Sequence, residues 1–227
     1  MSVATITLVR HGRTSYNEAG RVQGWTDIPL DAVGLWQVAR TGEALRDLYV
    51  KQGRRQLVVA SPLARAMQTA HAFADPLGLE VHTDERLKER HFGDFEGKDA
   101  AELKAAWPGD FDLWCRGLGG EMNHHAESHE HVGERGWQAL RDWSRRAGED
   151  TDLFLFSHGA LIENTLQVMY GIGRHYPDFV SVTSMRNAHW GRLRDARLDE
   201  PDRWILEDYN HGPALADTPL WEHPDAC

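Results

Sequence analysis

Short apolar segments alternate with turn residues and helical periodicity along most of the chain. They cover residues 5–9, 57–60, 79–83 and 153–156. A segment such as 153–156, which is apolar at consecutive positions, is typical of a strand buried on both faces. Strands that alternate with helices predict an α/β fold with a mostly parallel central sheet and helices on both faces.

The helices and late strands are predicted from local patterns. Apolar residues at helical spacing predict a helix over residues 30–49, with Asp31 as its N-cap and Gly53 as its stop. Similar patterns predict four more elements: a helix ending at Phe73, a helix over residues 160–170 ending at Gly171, and strands at 189–193 and 204–209.

A histidine follows the first predicted strand. Gly12 ends the apolar run, so His11 lies where the strand opens into a loop. Ligands of open α/β sheets bind at this carboxyl edge. Arg10 and Arg13 flank the histidine, and a planar guanidinium matches the oxygens of a phosphate group. The segment therefore indicates a site for an anionic substrate.

Residues 10–17, RHGRTSYN, resemble the signature of the histidine phosphatase superfamily, which contains the cofactor-dependent phosphoglycerate mutases. Three later segments resemble further motifs of this family in the same order: SPLARAMQTA at 61–70, LKERHFGDFEG at 87–97 and SHG at 157–159. The resemblance implies a single domain over residues 1–227. A cap would be inserted at about residues 97–133, over the carboxyl edge of the sheet.

The resemblance also implies how four side chains act on a phosphate ester. His11 would attack phosphorus as a neutral imidazole and form a phosphohistidine that water then hydrolyses. Arg10 and Arg65 would bind the phosphoryl oxygens, over which negative charge spreads in the transition state. His158 would donate to a phosphate oxygen beside the N-terminus of the following helix.

The remaining site residues are predicted with competitors. Glu89 would be the general acid and base by resemblance, with Glu96 as the alternative carboxylate. Asn17 is expected to donate to the phosphate, and Thr14 to contact the substrate. Trp25 and Trp114 are the two tryptophans expected to face the pocket.

Three functions remain open at this stage. A phosphatase acting on a small phosphorylated metabolite is favoured, because residues 94–98, DFEGK, resemble the phosphatase form of the motif. Arg90 and Arg116 could hold a substrate carboxylate and favour a phosphoglycerate mutase instead. A non-catalytic phosphate-binding relative is disfavoured, since the chain retains every catalytic residue of the motifs.

The histidine-rich segment at residues 124–131, HHAESHEH, could bind a metal. His125 and His129 have the spacing of two ligands on one helical face, and zinc prefers imidazole. Glycines flank the segment, however, and phosphohistidine chemistry needs no metal. We therefore expect a solvated cap loop, with neither metal nor cofactor.

Composition bears on partners and compartment. The chain has 35 acidic and 25 basic side chains, for a net charge of −10, which disfavours nucleic acid and anionic membranes as partners. A small phosphate ester is the expected partner. With two cysteines and no signal or long apolar segment, a cytoplasmic location is predicted. The oligomeric state is left open.

Overall fold

The computed structural model describes residues 3–172, 182–196 and 202–224, and a six-stranded sheet forms its centre. The strands are β1 (Thr5–Arg10), β2 (Arg55–Ala60), β3 (Val81–Thr83), β4 (Thr151–Ser157), β5 (Trp190–Asp195) and β6 (Trp204–His211). Their order across the sheet is β3-β2-β4-β1-β5-β6. Strands β1 to β4 are parallel, whereas β5 and β6 are antiparallel to their neighbours. The predicted mostly parallel sheet is confirmed.

Helices cover both faces of this sheet, as predicted. They are α1 (Ser15–Glu18), α2 (Ala32–Tyr49), α3 (Ala64–Ala74), α4 (Ala100–Ala106), α5 (Pro108–Cys115), α6 (His129–Ala147) and α7 (Gly159–Tyr170). The alternating side chains of β4 show the two layers. Phe154 and Phe156 pack on Phe73 of α3, and Leu153 and Leu155 lie in the cluster that includes α6 and α7. None of the described helices is long and apolar enough to cross a membrane.

The helix ends follow the sequence in most places. The Asp31 carboxylate accepts from the Gly34 amide at 2.7 Å and caps α2, and Gly171, in the left-handed region at φ 61°, ends α7. Gly53 is not the stop of α2, because the helix ends at Tyr49 with Val50 as its C-cap. The third strand begins at Val81 rather than at residue 79.

Residues 97–128 form no strand and contain α4, α5 and a 3-10 turn at Gly120–His124. The predicted insertion extends to residue 133, but α6 already begins at His129. Gly133, the predicted end of the insertion, instead lies within α6 and allows this helix to pack closely on α7. A Cβ added there would lie 2.4 Å from Val168 Cγ2 and 2.5 Å from the Asn164 carbonyl oxygen.

Candidate active site

The ends of three parallel strands bring the predicted catalytic side chains together. Arg10 is paired with Ser157 in the sheet, so His11 and His158 both lie immediately beyond that pair. Their ring centroids are 5.2 Å apart. Arg65 comes from α3, which follows the neighbouring strand β2. The carboxyl edge of the sheet thus holds two histidines and two arginines.

His11 is held in one tautomer. Its ring is buried, and Nδ1 lies 2.7 Å from the carbonyl oxygen of Gly12. Because a carbonyl only accepts, Nδ1 carries the proton and Nε2 keeps its lone pair. Burial, followed by the charges of Arg65 and Arg10, holds the pKa of His11 well below its ordinary value. A neutral imidazole with a free Nε2 is the form that attacks phosphorus.

Arg65 is completely buried and fixed by three hydrogen bonds. Its Nη1 donates to the Thr26 carbonyl at 2.9 Å, and its Nη2 donates to the Gly24 carbonyl at 2.7 Å. Its Nε donates to Nδ1 of His158 at 3.2 Å. Gly24 has φ +54°, and an added Cβ would lie 1.9 Å from the Glu96 carboxylate, so this turn requires glycine.

The tautomer of His158 follows from its contact with Arg65. Since a guanidinium cannot accept, Nδ1 of His158 is unprotonated and Nε2 carries the proton, which it donates to Ser61 Oγ at 2.8 Å. Burial, followed by the charge of Arg65, holds the pKa of His158 well below its ordinary value. Ser61, at the start of the second motif, is a contact that the sequence analysis did not assign.

Arg10 retains an unused donor. Its Nη1 donates to the carbonyl of Met185, whereas its Nε is buried with no hydrogen-bond partner among the described residues. Burial lowers the pKa of Arg10, and the nearby Glu89 carboxylate opposes this shift. Next to His11, this N–H provides a contact for an anion.

Glu89 lies at the N-terminus of α7. Its carboxylate accepts from the amides of Leu161 at 3.1 Å, Ala160 at 3.4 Å and Arg90 at 2.8 Å. The positive end of the helix dipole favours a carboxylate there. Burial lowers the pKa of both Arg10 and Arg65, and the negative charge of Glu89 partly offsets this shift.

The competing carboxylate of Glu96 is used within a loop. It accepts from the amides of Trp25, Thr26 and Phe92 at 3.0, 3.2 and 3.0 Å, and from the hydroxyl of Thr26 at 3.1 Å. Both oxygens therefore hold the loop whose carbonyls bind Arg65. Glu96 therefore supports the loop that holds Arg65, whereas Glu89 lies at the N-terminus of α7, which His158 precedes, and stays the predicted proton donor.

Arg135 of α6 holds the Glu89 loop in place. Its two terminal nitrogens donate to the carbonyls of Arg86, Lys88 and Glu89 at 2.7 to 2.9 Å. The same guanidinium forms a bidentate pair with Glu127, at 2.7 and 2.9 Å. No motif in the sequence pointed to this role of Arg135.

Asn17 and Thr14 differ in their availability. Asn17 Oδ1 accepts from the Thr14 amide at 3.2 Å and from Asn187 Nδ2 at 3.1 Å, which leaves its own NH₂ group without an acceptor among the described residues. Thr14 is completely buried, and its hydroxyl caps α1 and contacts Gln23 Oε1 at 2.9 Å. The Thr14 side chain thus has partners within the protein, and its contact with the substrate stays a prediction.

The two arginines predicted to hold a carboxylate lie elsewhere. Arg90 is buried, with Nη2 2.7 Å from the Glu121 carboxylate and Nε 2.7 Å from the Glu127 carbonyl. Arg116, at the end of α5, is 63% exposed and pairs with Asp112 at 3.6 Å. Arg90 is turned towards Glu121 and is not free to receive a substrate carboxylate, whereas Arg116 forms only an exposed pair along its own helix.

The histidine-rich segment does not converge on one point. His124 contacts Asp110 at 2.8 Å, His125 contacts Asp94 at 3.1 Å, and His129 contacts Asn164 at 3.0 Å. The helical spacing of His125 and His129 is not realised, because α6 begins at His129. Within the described ranges, no three histidine, cysteine or carboxylate side chains are arranged to hold a metal.

The two singled-out tryptophans also separate. Trp114 packs edge-on against the buried Phe95 at 5.5 Å, in an aromatic cluster inside the cap with Trp107 and His124. Trp25 is 43% exposed and lies beside Glu89, to whose carbonyl its indole N–H donates at 2.7 Å. Trp114 therefore stabilises the aromatic cluster around Phe95. Of the two tryptophans, Trp25 is the one that lies beside Glu89.

A neutral buried histidine, flanked by arginines at the carboxyl edge of this sheet, defines the class of protein. Residues 6–204 match the family model of the histidine phosphatase superfamily (branch 1), and the chain belongs to that superfamily. It is a phosphatase.

The chain is 31% identical over 236 residues to a glucosyl-3-phosphoglycerate phosphatase of Mycolicibacterium vanbaalenii, covering 97% of this chain and 100% of the relative. The structure of a mycobacterial glucosyl-3-phosphoglycerate phosphatase in complex with VO3 has a TM-score of 0.76 and 28% identity, covering 92% of this chain and 100% of that chain. Phosphoglycerate mutase 1 of Saccharomyces cerevisiae is 42% identical over 100 residues, but covers 43% of this chain and 39% of the mutase. The phosphatase relative matches nearly the whole chain, whereas the mutase matches less than half of it. The mutase alternative is therefore less well supported.

Proposed function

We propose that the protein hydrolyses a small phosphate monoester through a phosphohistidine at His11. The single observation that carries this proposal is the state of the His11 ring, whose Nδ1–H is bound to the Gly12 carbonyl at 2.7 Å. The low pKa of the ring keeps Nε2 unprotonated. The nucleophile therefore needs no base to activate it, since its lone pair is already available.

The reaction then proceeds in two balanced steps. Nε2 of His11 attacks phosphorus and the bond from phosphorus to the ester oxygen breaks. Glu89, which receives a proton from the phosphate monoanion as the substrate binds, gives that proton to the departing alkoxide. In the second step Glu89 takes a proton from water, which attacks phosphorus and releases phosphate from His11. The carboxylate at the N-terminus of α7 is adjacent to the cationic pair in both steps.

The phosphoryl oxygens would be bound by the groups around His11. Arg10 supplies the unpartnered Nε–H, and Arg65 supplies a guanidinium held rigidly by two carbonyls and His158. Asn17 offers its free NH₂ group. The Nε2–H of His158, which donates to Ser61 Oγ in this structure, would donate to a phosphate oxygen instead. Donors fixed before the reaction stabilise the developing charge at no cost of reorganisation.

The substrate we favour is a phosphate ester of a hydroxy acid that carries a further substituent. The relatives that match this chain along its length are named for glucosyl-3-phosphoglycerate, which contains a carboxylate and a sugar ring. Because Arg90 is held by the buried Glu121 and Arg116 lies at the exposed end of α5, we favour a carboxylate partner beside Glu89 instead.

Trapping of the intermediate tests the proposal. The enzyme is mixed briefly with p-nitrophenyl phosphate, quenched in base and digested, and the peptides are analysed by mass spectrometry. We expect an acid-labile phosphate on His11 and loss of turnover in His11→Gln, whereas the exposed His71→Gln should keep both. Phosphate on another residue, or turnover by His11→Gln, would contradict it. A mutase would hydrolyse the ester poorly and need priming by a bisphosphate.

A further inference from the structure

Trp25 is placed to contact the part of the substrate that leaves. It lies between Gly24 and Thr26, whose carbonyls hold Arg65, and its indole N–H donates to the Glu89 carbonyl at 2.7 Å. The ring is therefore tied to the proposed proton donor and to a proposed phosphate ligand. It is also 43% exposed, although large aromatic rings usually bury most of their surface. Lys88 and His91 contact this ring, and its exposed part borders the proposed proton donor, where it can pack on an apolar face of the leaving group.

Lys88 supplies a charge at the same place. Its ammonium lies 4.9 Å from the centroid of the Trp25 ring, and it immediately precedes Glu89 in the chain. Arg135 fixes the Lys88 carbonyl at 2.7 Å, so the base of this side chain is held while its four-carbon stem can turn. The Lys88 ammonium forms an ion pair with the Glu85 carboxylate at 2.6 Å.

That ion pair leaves Lys88 available. The Lys88 side chain is 22% exposed, but its partner Glu85 is 75% exposed, so water and salt screen this pair. The other candidates are held more firmly: Arg90 is buried against Glu121, and Arg13 pairs with Asp31 at 2.9 Å with both side chains below 20% exposure. Lys88 is thus the cation beside Glu89 that an incoming carboxylate can recruit.

We propose that Trp25 and Lys88 form the subsite for the leaving group and make the enzyme selective for carboxylated, ring-bearing phosphate esters. The indole face packs on the sugar ring or a comparable flat substituent, and the Lys88 ammonium pairs with the carboxylate. This inference rests on the proposed function, which places the leaving oxygen beside Glu89.

Two pairs of substrates separate these contributions. Glycerol 3-phosphate and 3-phosphoglycerate differ in a hydroxymethyl group against a carboxylate, and 3-phosphoglycerate and glucosyl-3-phosphoglycerate differ in the sugar. In Lys88→Met, which keeps most of the stem, kcat/KM should fall about tenfold for the carboxylated esters, mainly through KM, and stay unchanged for glycerol 3-phosphate. In Trp25→Leu the advantage of the glucosylated ester should disappear.

The controls distinguish a subsite from general damage. Lys98→Met removes another lysine that lies over a tryptophan, with its Nζ 5.4 Å from the Trp107 ring, and should leave every ratio unchanged. Trp25→Phe keeps an aromatic face but loses the hydrogen bond to the Glu89 carbonyl, so it should retain the preference for the sugar. Turnover of p-nitrophenyl phosphate shows that each variant is folded and that the proposed phosphatase chemistry holds independently.

The outcomes that overturn the inference are equally specific. If Lys88→Met lowers kcat/KM equally for glycerol 3-phosphate and 3-phosphoglycerate, or changes neither, Lys88 does not recognise the carboxylate. If Trp25→Leu loses the same factor with and without the sugar, or Trp25→Phe loses the sugar preference as well, Trp25 positions Glu89 and does not bind the substrate.

Discussion

Arg65 donates its Nε–H to Nδ1 of His158 across 3.2 Å, so a cation, rather than a carboxylate, fixes the tautomer of this histidine. A protonated His158 would lose this hydrogen bond and add a positive charge next to Arg65. The pKa of the ring is accordingly depressed, first by burial and then by Arg65. The site therefore combines two neutral rings with two permanent cations, a balance that suits a dianionic phosphate.

Glu89→Gln should slow esters with poor leaving groups far more than esters with good ones. An alkyl alkoxide needs the proton that Glu89 supplies, and loss of a general acid costs roughly 10²–10⁴ in rate. A nitrophenolate leaves unaided and should be affected much less. The measurement is kcat/KM for an alkyl and an aryl phosphate. Glu96→Gln is the matched control, and a selective loss there instead would transfer the acid role to Glu96.

Arg90→Met should destabilise the protein strongly while Arg116→Met should not. Arg90 and Glu121 are both 1% exposed, and Glu121 Oε2 already lacks a hydrogen-bond partner among the described residues. Removing one member of such a buried pair costs about 3–5 kcal/mol, whereas an exposed pair such as that of Arg116 contributes about 0–1 kcal/mol.

Urea unfolding of the two variants measures this difference, and Arg90→Met/Glu121→Leu should recover part of the loss because no charge remains buried. A stable Arg90→Met that has lost only its affinity for carboxylated substrates would show instead that Arg90 binds the substrate.

Acidification below neutral pH should destabilise the fold through its buried histidines. Burial, as the largest cause, lowers the pKa of His11, His158 and His189, the last to about 4. The unfolded chain binds protons to these rings below about pH 6.5, where the folded protein does not. The contribution of these neutral rings to the free energy of unfolding is fully present above that pH. It falls by roughly 1.4 kcal/mol per pH unit for each ring as the pH drops towards the pKa of the ring in the folded protein.

The free energy of unfolding between pH 6.5 and 5, measured in urea, tests this linkage. His189→Gln should reduce the slope by the share of one ring, whereas His125→Gln should not, because His125 is 82% exposed. An unchanged slope in His189→Gln would mean that its ring is protonated equally in both states.

Chelation should leave turnover essentially intact. The guanidinium groups of Arg10 and Arg65 provide the positive charge that a metal ion brings to other phosphoryl-transfer sites. The assay is hydrolysis of p-nitrophenyl phosphate before and after treatment with a chelator. Activity that disappears and returns with zinc or magnesium would contradict the expectation and direct attention to His124 and His129.

The sequence alone was enough to predict the sheet, its long flanking helices and the placement of His11, Arg65 and His158 at one edge of the sheet. Strand runs and caps are local signals, and the carboxyl ends of parallel strands necessarily meet at one edge. Residues that directly follow strands, such as His11 and His158, could therefore be placed together without knowing any long-range contact.

Which of the side chains near the site are available to a substrate could be seen only in the folded protein. Arg90 adjoins Glu89 in the chain, yet Glu121 draws its guanidinium into the cap, and Gln23 takes the hydroxyl of Thr14. Arg135 reaches the Glu89 carbonyl from 46 residues away. Polar pairs of this kind follow no regular spacing in the sequence. They form because buried charges and hydrogen-bonding groups must find partners once the chain is packed.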